Sequence, residues 1–420
     1  MDLFGELEWR GLLFDTTEGA RDALAREKVS GYIGFDPTSA SLHVGNLLQM
    51  MGLAHLQRHG HSPIAVVGGG TGLIGDPSGK SVERQLMSAE EVAINVEGIH
   101  AQLARFLDFE SKVAPARLVN NADWLTKLSA VDFMRDVGKH FTVNAMLAKE
   151  SVRRRIDSAE GITYTEFSYS LLQAYDFLEL FDRFGCTLQM GGSDQWGNIT
   201  AGMDLIRRLR GAKAHGLVTP LITTASGAKF GKSEAGAIWL DPARTSPFEF
   251  YQFWWRSDDR DVIRYLKFFT FLDGAAIAPL ERSVAEAPEG REAQRALARE
   301  VTRLVHGDAA VIEAEAATQA LYANNISSLT AKQVEQTMVG VPSATIVKTP
   351  EGWPVVELLA TAGVTKSKSE ATRLIRGGGV YINDRRITDE KAMMTAEQAI
   401  EGQLFVIRKG KRDNFLVHIR

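Results

Sequence analysis

Gly31-Tyr32-Ile33-Gly34-Phe35-Asp36-Pro37-Thr38-Ser39-Ala40-Ser41-Leu42-His43-Val44-Gly45-Asn46 reads as the end of a strand, a polar turn and the opening of a helix over 44–58. The alternation continues along the chain: short apolar runs at 63–67, 117–119 and 187–190, and a long helical pattern over 164–184. Such alternation specifies an α/β fold, a parallel sheet covered by helices, over residues 1–240. Ligands of these sheets bind beyond the carboxyl ends of the strands. Helix N-termini also attract anions, because unpaired N–H groups and the macrodipole point there. His43 stands at such an opening and Gly45 keeps it uncluttered, so a nucleotide can lie flat against the backbone. Alone, His43 reads equally as a capping or core histidine.

At 420 residues the chain exceeds what one core usually organises, so two or three domains are expected. Hydrophobic residues at 45% and charged residues at 24% are an ordinary globular composition. No apolar stretch is long enough to cross a bilayer, and the first residues lack the regions of a signal peptide, which points to the cytoplasm and away from a membrane. A single cysteine, Cys186, excludes intrachain disulfides and thiolate zinc clusters and reads as a small core side chain. His55, His59 and His61 lack the third ligand and carboxylate that a metal site wants. They read as helix-end histidines facing a C-terminal dipole, and no metal site is expected.

From about residue 242 an aromatic-rich helical pattern replaces the strands, so 241–340 is read as a helical domain whose aromatics form its core. Prolines and small residues break every periodicity over 341–353, the expected linker. Residues 354–420 return to a small αβ pattern: a helix from Val355, a capping box Ser367-x-x-Glu370 opening a helix that ends at Gly377-Gly378-Gly379, and a strand over 380–383. Net charge is -4, yet from Trp353 onward 12 Lys and Arg face 8 Asp and Glu. Lys366, Lys368, Arg373, Arg376, Arg385 and Arg386 gather near one helix and turn, where phosphates can be met together.

A second polar element, Lys229-Phe230-Gly231-Lys232-Ser233, lies in a loop flanked by Gly227 and Gly236. Two lysines on such a loop can close over phosphates and balance charge on a leaving pyrophosphate. Together the two elements resemble the HIGH and KMSKS signatures of class I aminoacyl-tRNA synthetases, in the same order. Residues 34–38 (Gly-Phe-Asp-Pro-Thr), 69–80 (Gly-Gly-Thr-Gly-Leu-Ile-Gly-Asp-Pro-Ser-Gly-Lys) and 191–200 (Gly-Gly-Ser-Asp-Gln-Trp-Gly-Asn-Ile-Thr) look like the tyrosyl-tRNA synthetase family, over essentially the whole chain. The C-terminal stretch resembles the small RNA-binding module that this family shares with certain ribosomal proteins and RNA-modifying enzymes. Two departures stand out: the first signature reads His-Val-Gly-Asn, and Phe230-Gly231 replace Met-Ser in the second. The resemblance implies a Rossmann-like catalytic domain, activation of L-tyrosine with ATP, transfer to tRNA, a homodimer, and magnesium that arrives with ATP.

Residue chemistry supports the amino acid independently. Tyr169, Gln173 and Asp176 share one stripe of the long helix. Buried polar groups need partners, and a free amino acid supplies them. Its ammonium can meet Asp76, Tyr169 and Gln173; its phenol can meet Asp176 and Tyr32. Asp194, after the Gly191-Gly192 turn, suits ribose hydroxyls. The resemblance adds Gly34, Asp36 and Gln195 to the substrate contacts, and Gly45, Asn46 and Gly192 complete the adenylate set. Thr38, His43, Lys229 and Lys232 would contact the triphosphate, with Lys80 and Arg84 assisting from a mobile segment.

Other readings are weaker. Gly70-Thr71-Gly72-Leu73-Ile74-Gly75 matches a dinucleotide fingerprint, but that motif needs its glycines to open a helix, and helical pattern resumes only around Ala89. Residues 75–81 and 227–233 each fall one residue short of a P-loop. Tryptophan activation conflicts with the Tyr32 and Asp176 pair, because an indole offers only a donor. An RNA-binding protein that lost catalysis conflicts with the intact His43, Lys229, Lys232 and Asp176.

Overall fold

The computed structural model describes residues 1–76, 87–157, 161–227, 230–233, 236–322, 326, 329–338, 341–410 and 413–420. They form two compact units, Met1–Thr245 with Phe253–Val305, and Ser246–Gln252 with His306–Arg420.

The first unit is built on a sheet of six strands: β1 (Asp15–Thr16), β2 (Ser30–Phe35), β3 (Ser62–Val67), β4 (Arg117–Asn120), β5 (Cys186–Gly192) and β6 (His215–Thr219). Their spatial order is β1-β6-β5-β2-β3-β4, and every neighbouring pair is parallel except β1 with β6. The chain winds outward from β2 through β3 to β4, then returns to lay β5 on the other side of β2. A crevice opens beyond the strand ends at such a reversal. The central strands are buried along almost their whole length, as a sheet covered on both faces requires.

The helix Tyr164–Phe184 covers this region. Thr163 caps its start by accepting the N–H of Glu166, and Gly185, at φ 60°, ends it in a left-handed turn that feeds straight into β5. Ala174, Phe177 and Leu178 pack with Leu205 and Ile206 of the helix Trp196–Arg210. After β3 the chain makes only a short 3-10 turn at Thr71–Leu73, and no regular helix is described before Ala89, where Ser88 and Glu91 form a capping box. Among the described residues, the glycines after β3 open only this 3-10 turn.

Three readings are corrected here. His55 is not a charged helix cap: it is 1% exposed, edge-on to Phe271, and burial with the nearby Arg10 pushes its pKa down to about 3. His61 likewise is buried and accepts the N–H of Val29 at 3.2 Å. The helical region read as one domain is divided, because the helices Asp259–Phe269 and Gly274–Glu286 belong to the first unit. Arg10 holds that end of them, donating to the carbonyls of Thr270 and Leu272 at 2.9 Å each. The segment read as a linker contains a strand, Ser343–Ile346, paired parallel to Asp413–Ile419. It is an edge strand held by backbone bonds, so its side chains need no strict alternation and left no periodic signal.

In the second unit that pairing completes a five-stranded sheet with Val380–Ile382, Arg385–Arg386 and Leu404–Lys409, covered by the helices Val355–Thr361 and Lys368–Arg376. Its core includes Val355, Leu359, Ile375, Phe405 and Val417. Ser367 caps as expected, but Glu370 accepts the N–H of Lys366, one residue earlier than a capping box would have it.

Candidate functional site

The crevice beyond β2 and β5 collects most of the expected residues. Tyr32 lies on β2, 2% exposed, its ring edge-on to Phe177 at 5.3 Å. Its hydroxyl is buried without a hydrogen-bond partner among the described residues. Asp176, 3% exposed, faces the same space from the long helix. Asn121 donates to its Oδ2 at 2.9 Å and the Trp124 indole donates to its Oδ1 at 2.7 Å. Burial pushes the Asp176 carboxyl up to about 7, even though both hydrogen bonds pull the other way. Burial beside Asp176 also holds the Tyr32 hydroxyl firmly protonated.

A second polar group lies alongside. The Tyr169 hydroxyl donates to Asp36 at 3.4 Å, and burial together with the charges of Asp36, Asp76 and Asp176 raises its pKa well above the usual value. Gln195 donates to Asp76 at 2.7 Å and accepts from Gln173 at 3.2 Å; Asn198 donates to Gln173 at 3.0 Å. Three carboxylates around one tyrosine make a negative field suited to an ammonium group.

Of the residues expected on the nucleotide side, Gly34 stands open, a Cβ there meeting nothing within 4 Å, and Thr38 is exposed. His43 caps the turn Val44–Asn46: its Nδ1 accepts the N–H of Gly45 at 3.0 Å, and Asn46 accepts the N–H of His43 at 3.1 Å. Nδ1 used as acceptor assigns the proton of the neutral ring to Nε2. Both roles weighed for His43 are thus compatible. At the end of β5 the Asp194 carboxylate lies over Gly192, Oδ1 standing 2.6 Å from where a Cβ would be.

The two signatures touch. Val44 N–H donates to Ile238 and Leu240 N–H to Leu42, both at 2.9 Å, so the His43 segment is bridged to the chain leaving the second signature. Gly231, at φ 85°, packs on Gly45; a Cβ there would stand 3.3 Å from Gly45 N, so both conformation and space call for glycine. Phe230 is buried and stacks on Phe269 at 5.3 Å, with Tyr265 and Trp254 around it. The Phe departure from the class pattern is an anchor for the loop. Lys80, Arg84 and Lys229 lie outside the described residues, and of Lys232 only the backbone is described, in a two-stranded pairing with Gly236–Ala237.

Asn121, Trp124, Gln49 and Leu221 were missed in the sequence. Asn121 also accepts the N–H of Gly70 at 2.8 Å and donates to Thr71 at 2.9 Å, so it holds the turn after β3 against Asp176. Gln49 donates to Thr219 at 3.1 Å, and its buried Oε1 has no partner among the described residues. Leu221, 61% exposed, reaches within 3.4 Å of a Cβ position on Gly192. The available signal was positional: Asn121 and Leu221 follow the carboxyl ends of β4 and β6.

Lys366, Lys368, Arg373, Arg376, Arg385 and Arg386 of the C-terminal module are all exposed. Arg376 pairs with Glu390 at 2.7 Å and Lys368 with Glu357, so two of the charges have intramolecular partners. Among the described residues no cluster of His, Cys, Asp and Glu stands ready for a metal ion, and no helix is long and apolar enough to cross a membrane.

This fold, with paired signatures at a sheet reversal, defines a class I aminoacyl-tRNA synthetase. The chain belongs to the family of tRNA synthetases class I (W and Y), whose model matches residues 24–323. Within that family its kin are the tyrosine enzymes: residues 333–417 match the tyrosine--tRNA ligase SYY-like C-terminal domain. It is 56% identical to the tyrosine--tRNA ligase of Roseiflexus castenholzii over 420 residues and 54% identical to that of Bacillus caldotenax, with 99% of each chain covered in both cases. Among solved structures it resembles a C-terminally truncated mitochondrial tyrosyl-tRNA synthetase of Aspergillus nidulans, with TM-score 0.69 and 33% identity over 76% of this chain and 94% of that one.

Proposed function

We propose that this chain is a tyrosine--tRNA ligase working at the crevice between β2 and β5. The carboxylate of L-tyrosine attacks the α-phosphorus of ATP, the bond to the β-phosphate breaks, and tyrosyl-adenylate and pyrophosphate form. A ribose hydroxyl of the terminal adenosine of tRNA then attacks the adenylate carbonyl and AMP leaves. The observation that carries the reading is the buried pair Tyr32 and Asp176. Tyr32 offers an O–H donor and Asp176 an acceptor, which a phenol satisfies together and an indole does not. The ammonium goes to Asp76, Tyr169 and Gln173 in the negative field, and Gln195 orients the carboxylate.

The adenosine lies along Gly34, Asp36, Gly45, Asn46, Gly192 and Asp194, with Leu221 against the base. Thr38 and the Nε2–H of His43 meet the phosphates; Lys80, Arg84, Lys229 and Lys232 neutralise the charge passing to pyrophosphate. Catalysis is positioning and charge stabilisation. Magnesium enters as part of the Mg-ATP substrate, held through the phosphate oxygens.

The module 354–420 binds tRNA through its exposed Lys and Arg, and the protein works in the cytoplasm. It acts as a homodimer: Val131, Met134, Val143, Ile156 and Tyr164 are large apolar side chains left exposed along one segment, and a second copy would cover them. The pocket assignment is tested by Asp176→Asn. It should abolish most tyrosine-dependent pyrophosphate exchange while the fold persists; undiminished exchange would put the phenol elsewhere.

A further inference from the structure

We propose that Gln102, with Asn95 and Gly98 on the same face of the helix Ala89–Leu103, is a positioning residue for adenylation: this face holds the loop that carries Thr38 and His43. The inference rests on the functional reading above and concerns residues outside the proposed substrate contacts. The three positions share one helical stripe, and each meets a different part of the loop. Asn95 donates to the carbonyl of Pro37 at 2.8 Å. Gly98 lies so close to Ala40 that a Cβ would stand 2.0 Å from its carbonyl oxygen. Gln102 accepts the N–H of Leu42 at 2.8 Å and donates to Ser41 Oγ at 2.9 Å.

Ser41 extends the connection. Its hydroxyl donates to the carbonyl of Leu42 at 2.7 Å and accepts the N–H of Asp241 at 3.2 Å. Asp241 follows the stretch that bridges to the His43 segment, so Gln102 ties the helix to both sides of the contact between the signatures. Beside these contacts lies a cavity of about 260 Å³, lined by Ala40, Gly98, Gln102, Arg105, Leu240 and Asp241 among others. Close packing is incomplete there, which leaves specific contacts to set the loop's place. A displaced phosphate ligand is felt where charge passes to the leaving group, not in tyrosine binding.

The test uses full-length protein carrying Gln102→Met, which keeps side-chain length and helix propensity but bonds neither Leu42 nor Ser41, and Gln102→Glu, which keeps the acceptor for Leu42. Tyrosine-dependent pyrophosphate exchange with ATP varied is read beside equilibrium tyrosine binding and Tm. The expected result is a kcat about ten- to hundredfold lower in Gln102→Met, tyrosine Kd unchanged, and most of the rate recovered in Gln102→Glu. Parent kinetics in Gln102→Met would overturn the proposal, as would tyrosine affinity falling in step with the rate. If Gln102→Met does not fold, Asn95→Ala removes another contact of the same face and is read the same way. No exchange in the parent protein would overturn the functional reading, and this proposal with it.

Discussion

At the residue scale, the proposed tyrosine pocket turns on Asp176. Its carboxyl titrates near 7 because burial outweighs the two hydrogen bonds it receives. A phenol donates best to the ionised form, so tyrosine affinity should rise with pH between about 6 and 8, by up to about tenfold per unit below the midpoint. Calorimetric titration in buffers of different ionisation heat should register the proton released. In Asn121→Leu, where one hydrogen bond to the carboxylate is gone, the midpoint should move to higher pH; a midpoint that stays put would detach Asn121 from the pocket. The same pKa has a consequence for the empty fold. Because the folded value is raised above the unfolded one, the contribution is fully present below about pH 4 and is lost as pH rises through 7. Against Asp176→Asn, the parent should therefore lose up to about 4 kcal/mol across that window in denaturant titrations. Tyr32→Phe, which removes one neutral donor, should cost about 0.5 to 1.5 kcal/mol of tyrosine over phenylalanine preference in exchange assays. Tyr169, Gln173 and Asp176 were legible because helical spacing sets them on one stripe. Asn121 and Trp124 were not, since a residue that serves a buried carboxylate from a different strand end carries no periodic mark.

At the scale of elements, the two signatures work as one because Gly231 rests on Gly45 and the chain after the loop is bridged to the His43 segment. Phe230 pins that arrangement to the aromatic cluster of Tyr265, Phe269 and Trp254. Phe230→Leu should cost about 1 kcal/mol of stability and lower kcat for adenylation while leaving tyrosine Kd alone. Equal losses in rate and tyrosine affinity would place Phe230's influence in the amino-acid pocket. The sequence read the strands and the long helix well, because alternation and capping are local signals. It could not show that the two signatures touch, since that contact joins segments far apart in the chain. The strand Ser343–Ile346 escaped for a related reason: its pairing partner, Asp413–Ile419, lies at the other end of the module.

At the scale of the molecule, that strand bears on where the chain should be cut to test whether the two half-reactions separate. Ending the chain within 343–346 would remove the other four strands of the C-terminal sheet and leave a remnant of its edge strand behind, whereas ending it after Tyr322 removes that strand as well. The Aspergillus nidulans relative was solved in a C-terminally truncated form, and it aligns with 76% of this chain. The shortened protein should keep pyrophosphate exchange and lose most tRNA charging, and in the intact protein added salt should weaken charging more than exchange, since phosphate contacts release counterions. Unimpaired charging by the shortened chain would make the basic module a bystander. Tyr164→Glu should shift sedimentation from dimer toward monomer, as a charge placed on the exposed apolar segment opposes its burial. Amino-acid-dependent exchange between pyrophosphate and ATP, measured across all twenty amino acids, is the decisive measurement. Exchange with tyrosine, and with tryptophan no faster than background, is the predicted result; exchange with tryptophan and none with tyrosine would contradict it.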